Sequence, residues 1–205
     1  MDISVVVPLY NEEESLPELY AWIERVMKAH GFSYEVIFVN DGSTDRSWQI
    51  IEELSRESDA VHGIKFRRNY GKSPALYCGF EKAQGDVVIT MDADLQDPPS
   101  LLPEMAKILE SGEYDSVATR RVSRDGEPPI RSFCARQFYK LINKISDSDI
   151  VDGARDYRLM KREMVDAIVK MGENNRFSKG IFGWIGYRTY WYPYENVERA
   201  AGETK

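Results

Sequence analysis

Cysteine is nearly absent. Cys78 and Cys134 are the only two in 205 residues, too few for the disulfide framework that holds small secreted domains together. Both read as ordinary buried or half-buried thiols and point to a reducing compartment. Histidine is as scarce: His30 and His62 stand apart in the sequence, which excludes a metal site built on closely spaced imidazoles. No apolar run approaches the ~18 residues of a membrane span. Met1-Asp2-Ile3-Ser4 lacks the basic opening of a signal peptide. Neither Gly-x-Gly-x-x-Gly nor Gly-x-x-x-x-Gly-Lys-Ser/Thr occurs, which argues against dinucleotide cofactors and P-loop chemistry, and no Gly-x-Ser-x-Gly elbow is present. Positive charge is in deficit. Lys+Arg is 27 against Asp+Glu 34, a net charge of −7, the wrong sign for counterion-driven binding, so no nucleic-acid partner is expected.

What is there is a chain with 42% hydrophobic and 12% aromatic residues, enough apolar matter for a self-sufficient core. Ile3-Ser4-Val5-Val6-Val7-Pro8-Leu9 is a short β-branched run that reads as a buried strand. Leu16, Leu19, Tyr20, Ile23 and Val26 then recur at helical spacing, with Pro17 in the first turn and Gly31 just past the end. Strand candidates follow at 34–39, 62–66 and 86–91, separated by a helix carrying Trp48, Ile51 and Leu54 and by another at 73–83. This alternation predicts an α/β domain with a mostly parallel central sheet and helices on both faces. Beyond it, 98–109 reads as a helix, 114–119 as a strand and 120–129 as a mobile loop. An amphipathic helix is expected at 130–145, with a basic stripe at Arg136, Lys140 and Lys144. A strand at 157–160 and a short helix at 163–170 follow, and the alternating aromatic stretch 187–194 offers a sheet edge to a second copy of the chain. No repeat or linker divides the sequence, so one domain is expected.

Ligands in such sheets bind beyond the carboxyl ends of the strands. The polar clusters of this chain sit at those ends, at 8–12, 40–45, 67–72 and 92–97. Four remote stretches therefore converge on one edge. The densest chemistry is Met91-Asp92-Ala93-Asp94-Leu95-Gln96-Asp97-Pro98-Pro99, where a buried strand delivers carboxylates two residues apart. Extended geometry through both would turn them to one face. Asp-x-Asp alone is common turn chemistry. After a buried strand, with Gln96 able to add an oxygen, it points to Mg²⁺ or Mn²⁺ holding a substrate's phosphates. Asn40-Asp41-Gly42-Ser43 is good turn chemistry too, and a carboxylate there also suits the N–H of a nucleobase; spacing alone leaves both readings open. Arg68 and Lys72 by themselves read as a solvated loop.

Together these stretches carry a resemblance. Val7-Pro8-Leu9-Tyr10-Asn11-Glu12, Val39-Asn40-Asp41-Gly42-Ser43-Thr44-Asp45 and 91–99 resemble the successive signatures of family 2 glycosyltransferases with the GT-A fold. The subgroup they are most similar to is the polyprenyl-phosphate sugar transferases, the dolichyl-phosphate mannose synthase group and its bacterial glucosyl relatives. Arg67-Arg68-Asn69-Tyr70-Gly71-Lys72, Asp156-Tyr157-Arg158-Leu159-Met160, Arg176-Phe177-Ser178-Lys179-Gly180 and the terminal Ala201-Gly202-Glu203-Thr204-Lys205 fit the same subgroup. The resemblance implies that Pro8, Tyr10, Glu12 and Asp41 line a nucleoside pocket, joined by Lys72. Asp92, Asp94 and Gln96 would hold Mg²⁺ or Mn²⁺ and the donor diphosphate, with Asp94 and Asp156 as the catalytic carboxylates. Arg176 and Lys179 would fall in a loop that closes over the donor, and Arg120, Arg131 and Arg136 would meet an acceptor phosphate. Residues 1–97 would then form the nucleotide-sugar half and 98–205 the acceptor half of a single catalytic domain. Members of the bacterial subgroup continue past the final Gly-Glu-Thr-Lys into membrane helices, so either a catalytic domain lacking those helices or a peripheral enzyme is expected, the former preferred, at the cytoplasmic face of the inner membrane.

The implied reaction is an inverting transfer of one sugar from a nucleotide-diphosphate sugar, UDP preferred over GDP, to a polyprenyl phosphate. The alternative is transfer to a saccharide hydroxyl in cell-surface polysaccharide synthesis, for which Asp156 is the candidate general base. A non-catalytic nucleotide-sugar-binding module is the distant alternative. A pyrophosphorylase would need a Gly-rich N-terminal loop, and a processive synthase a Gln-x-x-Arg-Trp segment; neither is present.

Overall fold

The computed structural model describes residues 1–121, 151, 153–171 and 178–194. Strands β1 (Ile3–Leu9), β2 (Tyr34–Asn40), β3 (Val61–Lys65), β4 (Val87–Thr90), β5 (Ser116–Arg121), β6 (Ala154–Lys161) and β7 (Thr189–Tyr194) form one sheet in the order β3-β2-β1-β4-β6-β5-β7. β1 pairs in parallel with β2 and β4, β2 with β3, and β5 with β7; β6 runs antiparallel to both of its neighbours. The expected mostly parallel α/β sheet is what forms. The reversed strand is the feature that periodicity did not announce.

Helices α1 (Leu16–His30), α2 (Ser47–Glu57) and α4 (Leu102–Glu110) cover one face. Their Leu19, Ile23, Ile51 and Met105 pack on Val5, Val7 and Phe38. α3 (Lys72–Lys82), α5 (Arg162–Lys170) and α6 (Ser178–Trp184) cover the other, where Leu76, Phe80, Val165 and Phe182 meet Val6, Ile37 and Met160. Successive β1 residues point to opposite faces, so a strand buried on both sides is almost wholly apolar; all seven residues of β1 are buried, and its one polar side chain, Ser4, donates its hydroxyl to Glu35 Oε1 at 2.6 Å. Gly79 lets α3 lie directly on β1: a Cβ there would run into Val6. That close seat fixes where the N-terminus of α3, and hence Lys72, meets the sheet edge.

Expected elements that fall on described residues appear with boundaries shifted by a few positions. One expectation is corrected. Arg120 and Arg121 belong to β5, not to a loop, because their backbone continues the ladder with β7 and Arg120 also pairs across a bulge with Ala154 of β6. The remainder of the expected loop and the helix expected at 130–145, with its basic stripe, lie outside the described residues. The aromatic stretch is spent on the chain's own sheet, as β7 against β5. Among the described residues no helix is long and apolar enough to cross a membrane.

Candidate functional site

The carboxyl ends of β1, β2 and β4 open into a cleft of about 320 Å³ lined by Pro8, Tyr10, Glu12, Asp41, Lys72, Asp92 and Asp94. That size is at the small end for a ligand site. All seven residues were expected at a nucleotide-sugar or metal site, and one cavity wall holds them.

The first wall is made by loops tied to one another. The Asp41 N–H donates to the Leu9 carbonyl at 2.8 Å. Asn11, at φ 54°, donates its N–H to Ser43 Oγ at 2.9 Å and accepts the Thr44 N–H on its side chain at 2.8 Å. Glu12 N–H reaches Ser47 Oγ at 2.9 Å. Side chains that the sequence offers as turn formers thus lace the β1–α1 loop to the β2–α2 turn.

Asp41 is buried, and both of its oxygens are used. Oδ1 accepts the Tyr70 N–H at 2.7 Å and Oδ2 the Gly71 N–H at 2.8 Å. Beside it Gly42 adopts φ +73°, and a Cβ there would collide with the backbone of Arg68 and Asn69. Asp41 and Gly42 together seat the 68–71 loop. Of the two readings left open for this turn, the turn-forming one is visible. Each carboxylate oxygen keeps a further lone pair, and Asp41 lines the cleft.

Lys72, the first residue of α3, spans the site. Its Nζ lies 2.5 Å from Asp92 Oδ1 and 2.7 Å from Asp156 Oδ2. Burial disfavours its charge, but the attraction of Asp92 and Asp156 outweighs that, and the ammonium pKa is raised. Asp156 reaches this edge because β6 is reversed. Thr90 pairs with Arg158, so Asp156 lies just beyond the end of β4, where its carbonyl accepts the Thr90 hydroxyl.

β4 ends at Thr90, yet alternation in burial continues through 92–97. Asp92, Asp94 and Gln96 are half-buried, while Ala93, Leu95 and Asp97 are buried. Asp94 Oδ1 accepts the Gln96 N–H at 3.2 Å, and Leu95 takes φ 63°, so this is a turn rather than extended chain. The two carboxylates still share the exposed side, as expected, but by turn geometry. Among the described residues no three His, Cys, Asp or Glu side chains form a metal cage. Two accessible carboxylates and an amide oxygen nonetheless suit a hard divalent cation that completes its shell with substrate phosphate and water. The donor set fits Mg²⁺ or Mn²⁺.

Sequence reasoning missed Asp97 and Arg155. Asp97 is 1% exposed, and its Oδ2 accepts the Asp92 N–H at 2.9 Å, so it holds the turn from beneath. Burial, then the nearby Asp92 charge, push its carboxyl up to about 7, against the Asp92 N–H bond, Arg155 and Lys72. Arg155 Nη2 donates to Gln96 Oε1 at 3.2 Å and stands 3.9 Å from Asp97 Oδ1. A third acid three residues past Asp94 was the available signal. Three residues further along β6 from Arg155, Arg158 is 3% exposed. It stacks on Phe182 at 4.5 Å and Trp191 at 5.3 Å and donates to Ser116 Oγ at 3.1 Å and Thr189 Oγ1 at 3.3 Å. Burial pushes its pKa down to about 10, with Asp156 pulling the other way.

The remaining expected residues are less informative. Arg120 is exposed at the carboxyl end of β5. Lys179 lies on helix α6, not in the expected loop, because the chain is already helical from Ser178; its side chain is outside the described residues, as are Arg131, Arg136 and Arg176 altogether.

A family model described as Glycosyl transferase family 2 matches residues 4–169. The chain is 43% identical over 203 residues to the putative glycosyltransferase CsbB of Bacillus subtilis, covering 99% of this chain and 61% of that protein. It is 40% identical over 205 residues to the bactoprenol glucosyl transferase of Shigella phage SfV, covering 100% of this chain and 66% of the relative. The chain thus spans about two thirds or less of the length of these relatives. Among solved structures, the mannosyltransferase PcManGT of Pyrobaculum calidifontis, in complex with GDP-Man and Mn²⁺, superposes with a TM-score of 0.62 at 22% identity, over 97% of this chain and 57% of that one. S. aureus TarS 1-349 in complex with UDP gives 0.60 at 18% identity, over 95% and 61%. These neighbours share the GT-A fold.

Proposed function

This chain belongs to glycosyl transferase family 2, and from that premise we propose that it moves one sugar from a nucleotide-diphosphate sugar to a polyprenyl phosphate, with inversion and with Mg²⁺ or Mn²⁺. The observation that carries the reading is the meeting of Asp92 and Asp156 on one ammonium at the mouth of the cleft. The donor-side acid motif and a carboxylate from a remote strand then flank the same point. Relatives named bactoprenol glucosyl transferases support the acceptor class.

In this reading Pro8, Tyr10, Glu12 and Asp41 form the nucleoside end of the cleft, with UDP preferred. Asp92, Asp94 and Gln96 hold the cation at the diphosphate. When bound, that cation supplies Lewis-acid neutralisation of the leaving group. The bond from the anomeric carbon to the diphosphate oxygen breaks as one from the acceptor oxygen forms on the opposite side. A lipid phosphate has a second pKa of about 6, so it arrives already anionic and needs no base. Asp156 then orients the acceptor, and Arg120, Arg131, Arg136, Arg176 and Lys179 supply positive charge around the phosphates. Residues 1–97 serve the donor and 98–205 the acceptor, at the cytoplasmic face of the membrane that carries the lipid. The outer edge of β7, the last strand of the sheet among the described residues, is the surface for a second copy.

The test is a product assay with UDP- and GDP-hexoses, Mn²⁺ and undecaprenyl phosphate. A lipid-linked sugar that requires the cation and has the inverted anomeric configuration is expected. Transfer only to saccharide hydroxyls, or no transfer with any donor, overturns the proposal.

A further inference from the structure

We infer that Lys72 is an internal counter-cation of the metal site, its ammonium seated on Asp92 Oδ1 so that a divalent ion enters only as the ammonium is displaced. The inference rests on the proposed metal-dependent reading of the cleft. It deepens that reading by giving this residue a positioning role in how donor and cation bind together.

Three observations lead to it. The ammonium contacts Asp92 at 2.5 Å and Asp156 at 2.7 Å, so it already neutralises the carboxylate that a cation would use. The root of the side chain is pinned: Asp41 holds the Tyr70 and Gly71 N–H groups immediately before it, and Gly79 seats α3 on β1. Any yielding is therefore confined to the four-carbon stem. The Lys72 side chain is 38% exposed, so the stem has open cleft to move into.

The charges decide the consequence. Lys72, Asp92 and Asp156 sum to −1; without the lysine the same place carries −2. A divalent ion at Asp92 and Asp94 with Lys72 still in contact sets like charges a few ångströms apart in a half-buried cleft, where screening is weak. The bare enzyme therefore binds a divalent ion poorly. A nucleoside diphosphate changes this, because its oxygens give the displaced ammonium a new partner. Donor and cation then strengthen each other's binding, and by linkage they do so equally.

The test measures Mn²⁺ affinity from the free-ion EPR signal, with and without UDP, for the wild type, Lys72→Met and Lys72→Arg. Thermal midpoints are recorded in EDTA and in Mn²⁺. Lys72→Met should bind Mn²⁺ without nucleotide about tenfold or more tightly than the wild type, and the gain in Mn²⁺ affinity on adding UDP should shrink by a similar factor. Lys72→Arg keeps the charge and should behave as the wild type does. If Lys72→Met is unfolded in EDTA, Mn²⁺ alone should restore its transition, and failure to do so counts against the inference. An unchanged or weaker Mn²⁺ affinity in Lys72→Met overturns it, leaving Lys72 a diphosphate clamp alone. Absence of Mn²⁺ binding to the wild type even with UDP is a different failure, that of the metal-dependent reading itself.

Discussion

Replacing Asp97 by Asn isolates the electrostatics of the buried turn without any substrate. The Asp97 carboxyl is displaced from its ordinary 3.8 up to about 7 in the folded protein, by burial first and the Asp92 charge second. Between those two values the folded chain holds a proton that the unfolded chain has released. Stability conferred by the protonated group is therefore fully present below about 3.8, declines as pH rises, and is lost above about 7. The separation corresponds to on the order of 4 kcal/mol in total, with a limiting slope of roughly 1.4 kcal/mol per pH unit. Asn keeps an oxygen for the Asp92 N–H and never ionises. Urea unfolding in EDTA at intervals from pH 5 to pH 8 should show the wild type losing stability relative to Asp97→Asn, and the variant should be the more stable at pH 8. Parallel profiles would refute the assignment of a raised carboxyl to Asp97. A profile rising with pH only in the wild type would reverse its sign.

Three further outcomes follow from named contacts. Asp41→Ala strands the N–H groups of Tyr70 and Gly71 and should cost ~2–3 kcal/mol in urea unfolding while weakening UDP affinity measured by calorimetry. Gly42→Ala combines a left-handed backbone with a collision against the 68–69 backbone and should lower stability by ~2 kcal/mol or more, read from the same unfolding curves; an unchanged midpoint would contradict the close approach. Asp156→Asn should retain most transfer to a lipid phosphate and reduce transfer to a saccharide hydroxyl by ~10²–10⁴-fold in steady-state assays. Near-complete loss with the phosphate acceptor would show that Asp156 does more than orient it.

The residues of the cleft were legible because they are local in sequence to strand ends. A β-branched run announces a buried strand, and polar residues at its end announce the edge, so Pro8, Asp41, Asp92 and Asp94 could be gathered without coordinates. Asp97 escaped because its chemistry comes from burial, and a carboxylate's depth is not written in its neighbours: Gln96 and Pro98 on either side are half-buried. Asp41 was legible as a residue but not in its work, since its partners are backbone N–H groups of Tyr70 and Gly71, which carry no side-chain signature. Arg120 was misread as loop because charged residues at the end of a strand resemble loop composition when the pairing partners, Ala154 and Pro193, lie far along the chain.

The direction of β6 is what no local pattern encodes, and the site depends on it. In a uniformly parallel sheet the start of β6 would lie at the amino edge, beside the beginning of β4. At about 3.3 Å per residue, Asp156 would then stand roughly 15–20 Å from the cleft. Reversal places the opening residues of β6 at the carboxyl edge instead, where Thr90 fixes the Asp156 carbonyl and Lys72 its carboxylate. A segment distant in sequence thus reaches the cleft by a strand running backward. The rigidity of that arrangement follows from its supports, a ladder on both sides of β6 and the buried Tyr157 hydroxyl donating to the Pro98 carbonyl at 3.0 Å. Asp156 lies just past the β4 ladder, between the two stretches of β6 that pair with β5, and is held there by Thr90 and Lys72. Removing the Tyr157 hydroxyl with Phe should loosen the 92–98 turn against β6 and raise the donor KM more than it lowers kcat, whereas an unchanged KM would mean that the turn is fixed without this hydroxyl, by Asp97.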